Sequence, residues 1–312
     1  MIWHALATYR AGKNHRAALV LDGQVYDLAA AAKATRKLPA ATAEAGLDAL
    51  IGAWPKLRRD VEALAKSAAD LVGRRKLKPV AGGLGKLAAP TRPGRIFAAA
   101  ANYAEHAEEM GSALAAKANS NPYIFMKADT AVVGPGAKVV IPPESKQVDW
   151  EVELGVVIGR EARFVSVDKA LDCVAGYTVV NDVSARDLNV RSDFPFKFDW
   201  FQGKSFETFA PIGPWIVPKS CIADPQKLKL QLKVNDEMMQ DADTGGMIFT
   251  VREQIAYLSK ILTLKPGDVI ATGTPTGVGM ARGIFLKPGD VMEAKVEGIG
   301  ALRNPVAAPS KR

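Results

Sequence analysis

The sequence predicts an α+β protein that is mostly β, with a small α+β domain at its N-terminus. Beyond the segment 80–94, short apolar runs alternate with turn residues, and helical patterns are few. Two near-copies, LKPGDVI at 264–270 and LKPGDVM at 286–292, each place Pro-Gly at the centre of a type II turn before a strand. Helical periodicity is concentrated at 43–53 and 56–72. The C-terminal part is therefore predicted to be rich in β-structure.

The N-terminal part is predicted to be a meander of short strands followed by two helices. The segment VAGGLGKLAAPTRPG at 80–94 is rich in Gly, Pro and Ala, which is typical of a linker. We therefore predict a small N-terminal α+β domain at 1–88 and a catalytic domain at 89–312. The predicted strands are 2–9, 16–21 and 24–28.

The composition is that of an ordinary globular protein, with 312 residues of which 48% are hydrophobic and 24% charged. The first residues, MIWHALATYRAGKNH, carry charged and polar side chains where a secretory signal needs an apolar run. No stretch approaches the roughly 18 apolar residues of a membrane span. We therefore predict a cytoplasmic protein without a membrane partner. Cys173 and Cys221 have no metal-binding or redox spacing, so no disulfide is predicted.

The net charge of +8 arises in the N-terminal part, where residues 1–94 hold 16 Lys and Arg against 7 Asp and Glu. Its densest piece is GRRKLKP at 73–79. Such a piece is either a nucleic-acid contact or the solvated end of a helix. It follows an amphipathic helix and has no interleaved aromatic residues, so we favour the helix end and predict no nucleic-acid partner.

The stretch VDWEVELGVVIG at 148–159 places Asp149, Glu151 and Glu153 at every second position. Apolar residues fill the alternate positions, which predicts a β-strand with the three acids on one face. Like charges on a partly buried face repel each other, so a cation or a basic partner is expected there. From this stretch alone, an edge strand with an acidic solvent face is an equal alternative.

A second acidic stretch, VVNDVSARD, places Asp182 after the apolar strand GYTVVN. A strand that returns beside the first one would bring this carboxylate to the same place. An all-oxygen site suits Mg²⁺ or Mn²⁺, with Ca²⁺ as a further candidate. The chain has no HExxH motif, no Cys cluster and three histidines, His4, His15 and His106, so a zinc site is poorly supported.

His106 is the histidine with a suitable neighbour, because Glu109 follows it by one helical turn in ANYAEHAEEM. A carboxylate beside an imidazole orients the ring and raises its basicity, as a water-activating base requires. An exposed surface pair is the alternative. The following segment, GSALAAKANSNP at 111–122, is small and polar and is predicted to be a mobile loop, so that the pair rides on a lid.

Two further segments have polar residues that suit substrate binding. Lys204 in the aromatic segment DWFQGKSFETF would hold a carboxylate or an enolate oxygen, with a solvent-directed lysine as an even alternative. The position five residues before Gly203 is Phe198, so the Gly-Lys-Ser sequence is not the end of a phosphate-binding loop. In ATGTPTGVG, backbone amides and Thr274 either bind a substrate carboxylate or form a plain tight turn.

Seven motifs follow one another along the chain, namely NYAEHAEE, VGPG with IPP, VDWEVELGVVIG, NDVSARD, GKSFETFAPIGP, LKPGDVIATGTPTGVG and LKPGDVMEAKVEGIG. In their order and spacing they resemble the fumarylacetoacetate hydrolase family over about residues 95–305. The resemblance implies a β-rich catalytic domain of the mixed β-roll type and a homodimer. It also implies that the N-terminal part is the small extra domain that many bacterial members carry.

The resemblance implies a role for each matching residue. The metal ligands fall on Glu151, Glu153 and Asp182, which would make the expected cation a divalent metal ion. Asp149 matches an acid of the motif that is usually not a ligand. The matching catalytic residues are His106, Glu109 and Lys204, and the substrate-binding residues are Asn189, Thr274, Tyr103 and Gly273.

The chain departs from the family pattern in two places. Asn189 stands where many members have Gln, and its shorter side chain reaches less far towards a substrate. The segment RSDFPFKFDWF at 191–201 is unusually aromatic. Its aromatic residues either line the pocket and favour a bulky or aromatic acyl group, or pack the dimer interface.

The resemblance leads us to expect hydrolysis of a carbon–carbon bond in an acylpyruvate-like 1,3-diketo acid, in the catabolism of aromatic compounds or sugar acids. His106 would activate the water, and the metal and Lys204 would hold the departing pyruvate enolate. Relatives also isomerise, hydrate or decarboxylate related 2-oxo acids, and these activities are the alternative. A metal-dependent nuclease and a non-catalytic binding protein are weaker alternatives, because the basic excess lies outside the catalytic half and no matching site residue is missing.

Overall fold

The strands form one mixed sheet of 11 strands, one sheet of five strands and one two-stranded pair. The structure, a computed structural model, describes residues 2–109, 111 and 116–309. The predicted fold class, α+β and mostly β, is confirmed. In the described part of the chain, every helix is too short or too polar to cross a bilayer.

The N-terminal part contains the predicted meander, followed by four helices. The strands are β1 (Ala5–Ala11), β2 (Asn14–Leu21) and β3 (Gln24–Asp27). The helices are α1 (Leu28–Thr35), α2 (Ala40–Glu44), α3 (Leu47–Gly52) and α4 (Trp54–Gly73). The helix predicted at 43–53 is interrupted, because Gly46 has a φ of +93° and separates α2 from α3. Helix α1 was not predicted; Asp27 begins it by accepting a hydrogen bond from the Ala30 amide.

The rest of the chain is a series of short strands with four helices among the described residues. The strands are β4 (Leu87–Ala88), β5 (Ile96–Ala100), β6 (Tyr123–Lys127), β7 (Val132–Val133), β8 (Val139–Val140), β9 (Val148–Asp149), β10 (Val152–Ile158), β11 (Val174–Asn181), β12 (Ser184–Ala185), β13 (Ala210–Pro218), β14 (Lys229–Val234), β15 (Glu237–Asp243), β16 (Val269–Ala271), β17 (Val291–Val296) and β18 (Gly300–Ala307). The helices are α5 (Ala104–Glu109), α6 (Trp200–Lys204), α7 (Val251–Ile261) and α8 (Gly279–Arg282).

The N-terminal strands continue the large sheet of the C-terminal part. The order of strands along this sheet is β3-β2-β1-β13-β11-β10-β16-β5-β6. Strand β1 pairs with β13, with Leu6 opposite Ile216. Strand β4, which lies inside the predicted linker, also pairs with β1. The two parts of the chain therefore share one hydrogen-bonded sheet.

Strand β10 lies at the centre of the molecule and is buried on both faces. Val152, Leu154 and Val156 pack on the side of the five-stranded sheet, which is formed by β15, β14, β17, β18 and β8. Val157 packs on the other side with residues of the N-terminal helices, among them Leu64. Burial on both faces explains why β10 ends in a continuous apolar run instead of strict alternation.

The predicted single strand at 148–159 is two strands in the structure. Strand β9 pairs with β12, whereas β10 pairs with β11 and β16, so the chain changes sheets between Asp149 and Val152. The change is stabilised locally, because the Glu151 amide donates to the side chain of Asn181 at 2.9 Å. The expectation that three acids share one strand face is therefore wrong for Asp149, which is directed to different partners.

The packing of the central sheet can be tested by a substitution at Gly176. It lies in β11, and a Cβ atom added there would meet the backbone oxygen of Val217 in the neighbouring strand β13 at 2.3 Å. We expect Gly176→Ala to lower the free energy of unfolding by roughly 1–3 kcal/mol, because neither backbone can move without disturbing the sheet. Urea unfolding measures this change. Gly94→Ala is the control, since an added Cβ there has no neighbour within 4 Å; equal stability of the two variants would contradict the packing argument.

Candidate metal centre and active site

Three carboxylates converge where two central strands meet. Glu151 directly precedes β10, Glu153 is the second residue of β10, and Asp182 directly follows β11. Because these strands are antiparallel, with Val152 opposite Asn181, the start of one lies beside the end of the other. The three carboxylates are buried, and each offers an oxygen within 4.8 Å of the oxygens of the other two. The structure thus brings together the three acids that were predicted to bind the metal.

Three buried basic side chains form ion pairs with Glu151 and Asp182. Lys204 Nζ, at the end of α6, lies 2.8 Å from an oxygen of Glu151 and 2.7 Å from an oxygen of Asp182. Lys127 Nζ, at the end of β6, pairs with the other oxygen of Asp182. Arg186 Nη2 lies 2.6 Å from Glu151. Protein groups therefore supply part of the positive charge that the acidic stretch requires.

Asp149 is the fourth buried carboxylate, and its oxygens are used by the protein. They accept hydrogen bonds from the amides of Trp150 at 2.7 Å, Gly279 at 2.7 Å and Met280 at 3.0 Å. Arg186 Nε donates to the same carboxylate at 2.8 Å. Asp149 thus fixes the start of α8 and the position of Arg186, which in turn contacts Glu151.

The environments of the two glutamates shift their pKa values in opposite directions. Burial by itself raises the pKa of Glu151, but the adjacent charges of Lys204 and Arg186 outweigh burial and hold this pKa well below its usual range. Burial raises the pKa of Glu153, and the negative charges of Asp182 and Glu151 raise it further. In the described part of the chain, Glu153 has no ion pair with a basic side chain. It is the carboxylate that most needs a cation.

His106 and Glu109 lie beside this cluster on helix α5. His106 Nδ1 is 3.5 Å from a Glu109 oxygen, and both oxygens of Glu109 accept from the Gly277 amide at 3.1 Å. Burial lowers the pKa of His106, whereas the nearby charge of Glu151 raises it. The imidazole is therefore kept neutral and able to accept a proton. Of the predicted lid at 111–122, residues 112–115 lie outside the described residues, and the lid stays a prediction.

The glycine-rich turn after β16 contacts the cluster through its backbone. The Gly273 amide donates to Glu153 at 2.8 Å. Glycine is needed there, because φ is +99° and a Cβ would lie 2.6 Å from Asn102 Cβ. The hydroxyl of Thr274 donates to Val152 O and accepts from Gln240, both at 2.9 Å. The turn therefore holds Glu153 and β10, and substrate contacts by Gly273 and Thr274 stay predictions.

The side chains of Tyr103 and Asn189 each leave a buried oxygen without a hydrogen-bond partner among the described residues. The Tyr103 hydroxyl lies near Glu153; burial first, and then the charge of Glu153, raises the pKa of this phenol. The Asn189 side-chain oxygen lies against Gly203, where it would overlap an added Cβ. Both oxygens are groups that a bound ligand or water would satisfy. Their role in substrate binding stays a prediction.

Sequence reasoning missed the roles of Lys127 and Arg186. Lys127 ends the strand YIFMK, where a single lysine after apolar residues is typical of an exposed strand end. Its side chain is instead fully buried against Asp182. Arg186 lies in the motif NDVSARD, four residues after Asp182, and this proximity to a predicted ligand was a usable signal.

The residues present fit a divalent cation. Asp149, Glu151, Glu153 and Asp182 face Lys127, Arg186 and Lys204, so the buried cluster has one more acidic than basic group. The donor set consists of carboxylate oxygens, which hard divalent ions such as Mg²⁺ and Mn²⁺ prefer. A divalent cation bound in this cluster would change the excess of negative charge into an excess of positive charge. A positive site suits an anionic oxo acid.

Comparison with known proteins supports the sequence resemblance. Residues 95–307 match the protein family described as "Fumarylacetoacetate (FAA) hydrolase C-terminal". Among similar proteins is "Oxaloacetate tautomerase Fahd2a, mitochondrial" from Rattus norvegicus. It is 43% identical over 222 residues, which are 70% of this chain and 68% of that protein.

The solved structures that are similar to this chain include an isomerase and a hydrolase. The 2-hydroxyhepta-2,4-diene-1,7-dioate isomerase from Mycobacterium marinum has a TM-score of 0.63 and 37% identity, covering 75% of this chain and 82% of that chain. The maleylpyruvate hydrolase from Sphingobium.sp SYK-6 has a TM-score of 0.71 and 29% identity, covering 98% of this chain and 100% of that chain. The second match includes the N-terminal part.

Metal binding can be tested without any substrate. We expect Mn²⁺ to raise the melting temperature of the protein, because an ion at about 100 times its dissociation constant stabilises the folded state by roughly 2.7 kcal/mol. Glu153→Gln should abolish this increase, since Glu153 is a member of the oxygen group and has no basic partner in the described chain. A thermal unfolding series with and without Mn²⁺ provides the measurement.

Asp149→Asn is the matched control for this experiment. Asp149 is a buried carboxylate of the same cluster, but it lies outside the group of oxygens within 4.8 Å. Its variant should keep most of the Mn²⁺-dependent increase. An unchanged increase in Glu153→Gln would show that the ion binds elsewhere.

Proposed function

The chain belongs to the fumarylacetoacetate hydrolase family, and from this premise we propose that it is a divalent-metal-dependent hydrolase that cleaves a carbon–carbon bond in an acylpyruvate-like 1,3-diketo acid. The observation that carries the proposal is the His106–Glu109 pair beside the buried acids Glu151, Glu153 and Asp182. Hydrolysis of this kind needs a base that activates water next to a centre that binds a chelating oxo acid.

The three acids would hold the ion, and their oxygen donors favour Mg²⁺ or Mn²⁺, with Ca²⁺ as a weaker candidate. A divalent ion in this position supplies Lewis-acid polarisation of the oxygens of the oxo acid. Arg186 and Asp149 keep Glu151 in place, and the Gly273 amide keeps Glu153 in place. Such fixed partners orient ligands for the ion before it binds.

His106 is the proposed base. Its neutral imidazole accepts a proton from water, and the water oxygen bonds to the distal carbonyl carbon of the substrate. Glu109, held by the Gly277 amide, fixes the position of the ring and stabilises the imidazolium that forms. A positioned base of this kind contributes roughly 10²–10⁴-fold to the rate.

The carbon–carbon bond then breaks, and its electron pair leaves with the pyruvate part as an enolate. Lys204 adds positive charge where this enolate forms, because its ammonium group lies between Glu151 and Asp182. His106 then passes the proton that it took from water to the enolate carbon, which completes the reaction. One water is consumed, and the products are a carboxylic acid and pyruvate.

A second candidate is keto–enol tautomerisation of a 2-oxo diacid. The rat relative named as an oxaloacetate tautomerase is 43% identical over the matched residues, whereas the maleylpyruvate hydrolase structure is 29% identical. The same buried acids and basic groups serve this reaction, since it needs an enolate held beside a proton-transferring group. In that case His106 exchanges a proton with the substrate and does not activate water.

One assay distinguishes the two reactions. The metal-loaded protein is given acetylpyruvate, an aromatic acylpyruvate or the enol form of oxaloacetate. Chromatography measures pyruvate and the released carboxylic acid, and ultraviolet absorbance follows the loss of the enol. Equal amounts of pyruvate and acid from an acylpyruvate support the hydrolase. Rapid loss of the oxaloacetate enol without cleavage of either acylpyruvate would replace it by the tautomerase.

The dyad of His106 and Glu109 leads to a kinetic prediction. We expect His106→Ala to lower kcat by roughly 10²–10⁴-fold, with little change in the Mn²⁺-dependent melting temperature, because His106 is a base and not a metal ligand. Adding Glu109→Gln to His106→Ala should cost little more, since the two side chains act as a unit. Steady-state kinetics on the parent, both single variants and the double variant measure these changes.

The control for the dyad is Glu105→Gln, which changes an exposed acid on the same short helix. Its kcat should stay at the level of the parent protein. Losses from His106→Ala and Glu109→Gln that multiply in the double variant would show that the residues act independently. Loss of the Mn²⁺ effect in His106→Ala would make His106 a metal ligand.

A further inference from the structure

A buried glutamine connects the five-stranded sheet to the candidate metal centre. Gln240 lies in β15 and is 1% exposed. Its neighbour Met239 is also buried, although successive side chains of a strand normally point to opposite faces. The pairing of β15 with β14 shifts its register here, between Leu232 and Lys233, which is the pattern of a β-bulge. A bulge redirects side chains, and here it brings Gln240 to the first residue of β10.

The side-chain oxygen of Gln240 holds the backbone between two of the proposed metal ligands. It accepts a hydrogen bond from the Val152 amide at 2.9 Å. Val152 stands between Glu151 and Glu153, so this bond fixes the backbone from which both carboxylates extend. The carbonyl oxygen of Val152 accepts from the Thr274 hydroxyl, also at 2.9 Å. Both polar backbone groups of Val152 are thus bound by side chains.

The side-chain nitrogen of Gln240 binds the glycine-rich turn. It donates to the Thr274 hydroxyl and to the Pro275 carbonyl oxygen, each at 2.9 Å. The neighbours fix the orientation of this side-chain amide, because the Val152 amide can only donate and the Pro275 carbonyl can only accept. Both N–H groups and the oxygen of the side chain are therefore in use.

The turn that Gln240 binds also carries the partner of the proposed base. Gly277 belongs to this turn, and its amide donates to both oxygens of Glu109. The turn lies directly against β15, because a Cβ atom added at Gly277 would overlap the backbone oxygen of Met239. One side chain of the five-stranded sheet therefore links the acidic cluster to the pair of His106 and Glu109.

We propose that Gln240 is a positioning residue of the candidate metal centre. By fixing the Val152 backbone, it holds Glu151 and Glu153 in the orientation that a divalent ion needs before the ion binds. Repulsion between these carboxylates and Asp182 would otherwise turn them away from one another. This role rests on the proposed metal centre and not on the proposed reaction.

The affinity for Mn²⁺ tests this role without a substrate. Gln240→Met removes every hydrogen bond of the side chain and keeps an unbranched apolar chain of similar length. It should weaken Mn²⁺ binding by roughly 10–100-fold, which is the usual cost of removing a group that orients a metal ligand. Electron paramagnetic resonance of free Mn²⁺ gives the bound fraction. The spectrum of the bound ion should also differ from that of the parent, because the carboxylates are no longer held in one geometry.

Asn304→Leu is the matched control. Asn304 also carries a buried amide, and its nitrogen donates to the backbone oxygens of Gly134 at 3.0 Å and Ala137 at 2.8 Å. Neither partner belongs to the acidic cluster. This variant should lose stability but keep the Mn²⁺ affinity and the bound-ion spectrum of the parent. Equal weakening of Mn²⁺ binding in both variants would overturn the proposal, since Gln240 would then contribute to folding alone.

Thr274→Val is a second variant that decides the question if Gln240→Met does not fold. Valine has nearly the shape of threonine and removes only the hydroxyl between Gln240 and the Val152 carbonyl. Thr274→Val should also weaken Mn²⁺ binding. The double variant should bind about as weakly as Gln240→Met, because side chains in one hydrogen-bond network act together. Parent-level Mn²⁺ affinity in either single variant would overturn the proposal.

Hydrogen–deuterium exchange of the metal-free protein shows whether the backbone is released. The Val152 amide should exchange faster in Gln240→Met than in the parent, whereas the amides of β2 should exchange equally in both. Unchanged protection of Val152 would overturn the proposal. A parent protein that binds Mn²⁺ but cleaves no acylpyruvate would contradict the proposed reaction alone, and the Mn²⁺ affinities would then decide the role of Gln240 by themselves.

Discussion

The burial of four carboxylates in one cluster is the constraint on which the rest of the structure depends. An ionised carboxylate taken out of water is costly unless cations or hydrogen-bond donors meet it. Lys127, Arg186 and Lys204 come from three separate elements, so β6, the segment after β12 and α6 must all pack where β10 begins and β11 ends before three of the four acids have a basic partner. These ion pairs hold the three elements together. They also place the basic groups around the candidate substrate site.

The basic partners are distributed unevenly among the four carboxylates. Asp149 and Glu151 are held by amides, Arg186 and Lys204, whereas Glu153 accepts a hydrogen bond from the Gly273 amide and has no basic partner in the described residues. A folded chain that leaves one buried acid in this state gains stability from any cation that binds there. Structure and metal chemistry thus use the same residues, and the glycine-rich turn links both to Glu109 and the base His106.

The sequence predicted those features of the structure that depend on a local pattern of residues. Period-two alternation and Pro-Gly turns identified the strand-rich part, and the His106–Glu109 spacing predicted a contact that lies within one helical turn. The family resemblance implied a group of Glu151, Glu153 and Asp182, and the structure brings these three carboxylates together. The break between β9 and β10 could not be predicted, because it depends on which neighbour each half pairs with. Burial of Lys127 depends on the same tertiary pairing, and a lone lysine after apolar residues gives no local sign of it.

The pairing of β1 with β13 has a consequence for how the protein is made. Leu6 leaves the ribosome long before Ile216, which is its neighbour in the sheet. The meander of β1, β2 and β3 therefore remains with one edge of β1 uncovered by β13 until residues 210–218 have been synthesised. Contacts between residues so far apart in sequence slow folding and prolong the exposure of free strand edges. For this chain, the speed of translation and the access of chaperones to a nascent edge strand bear directly on the yield of native protein.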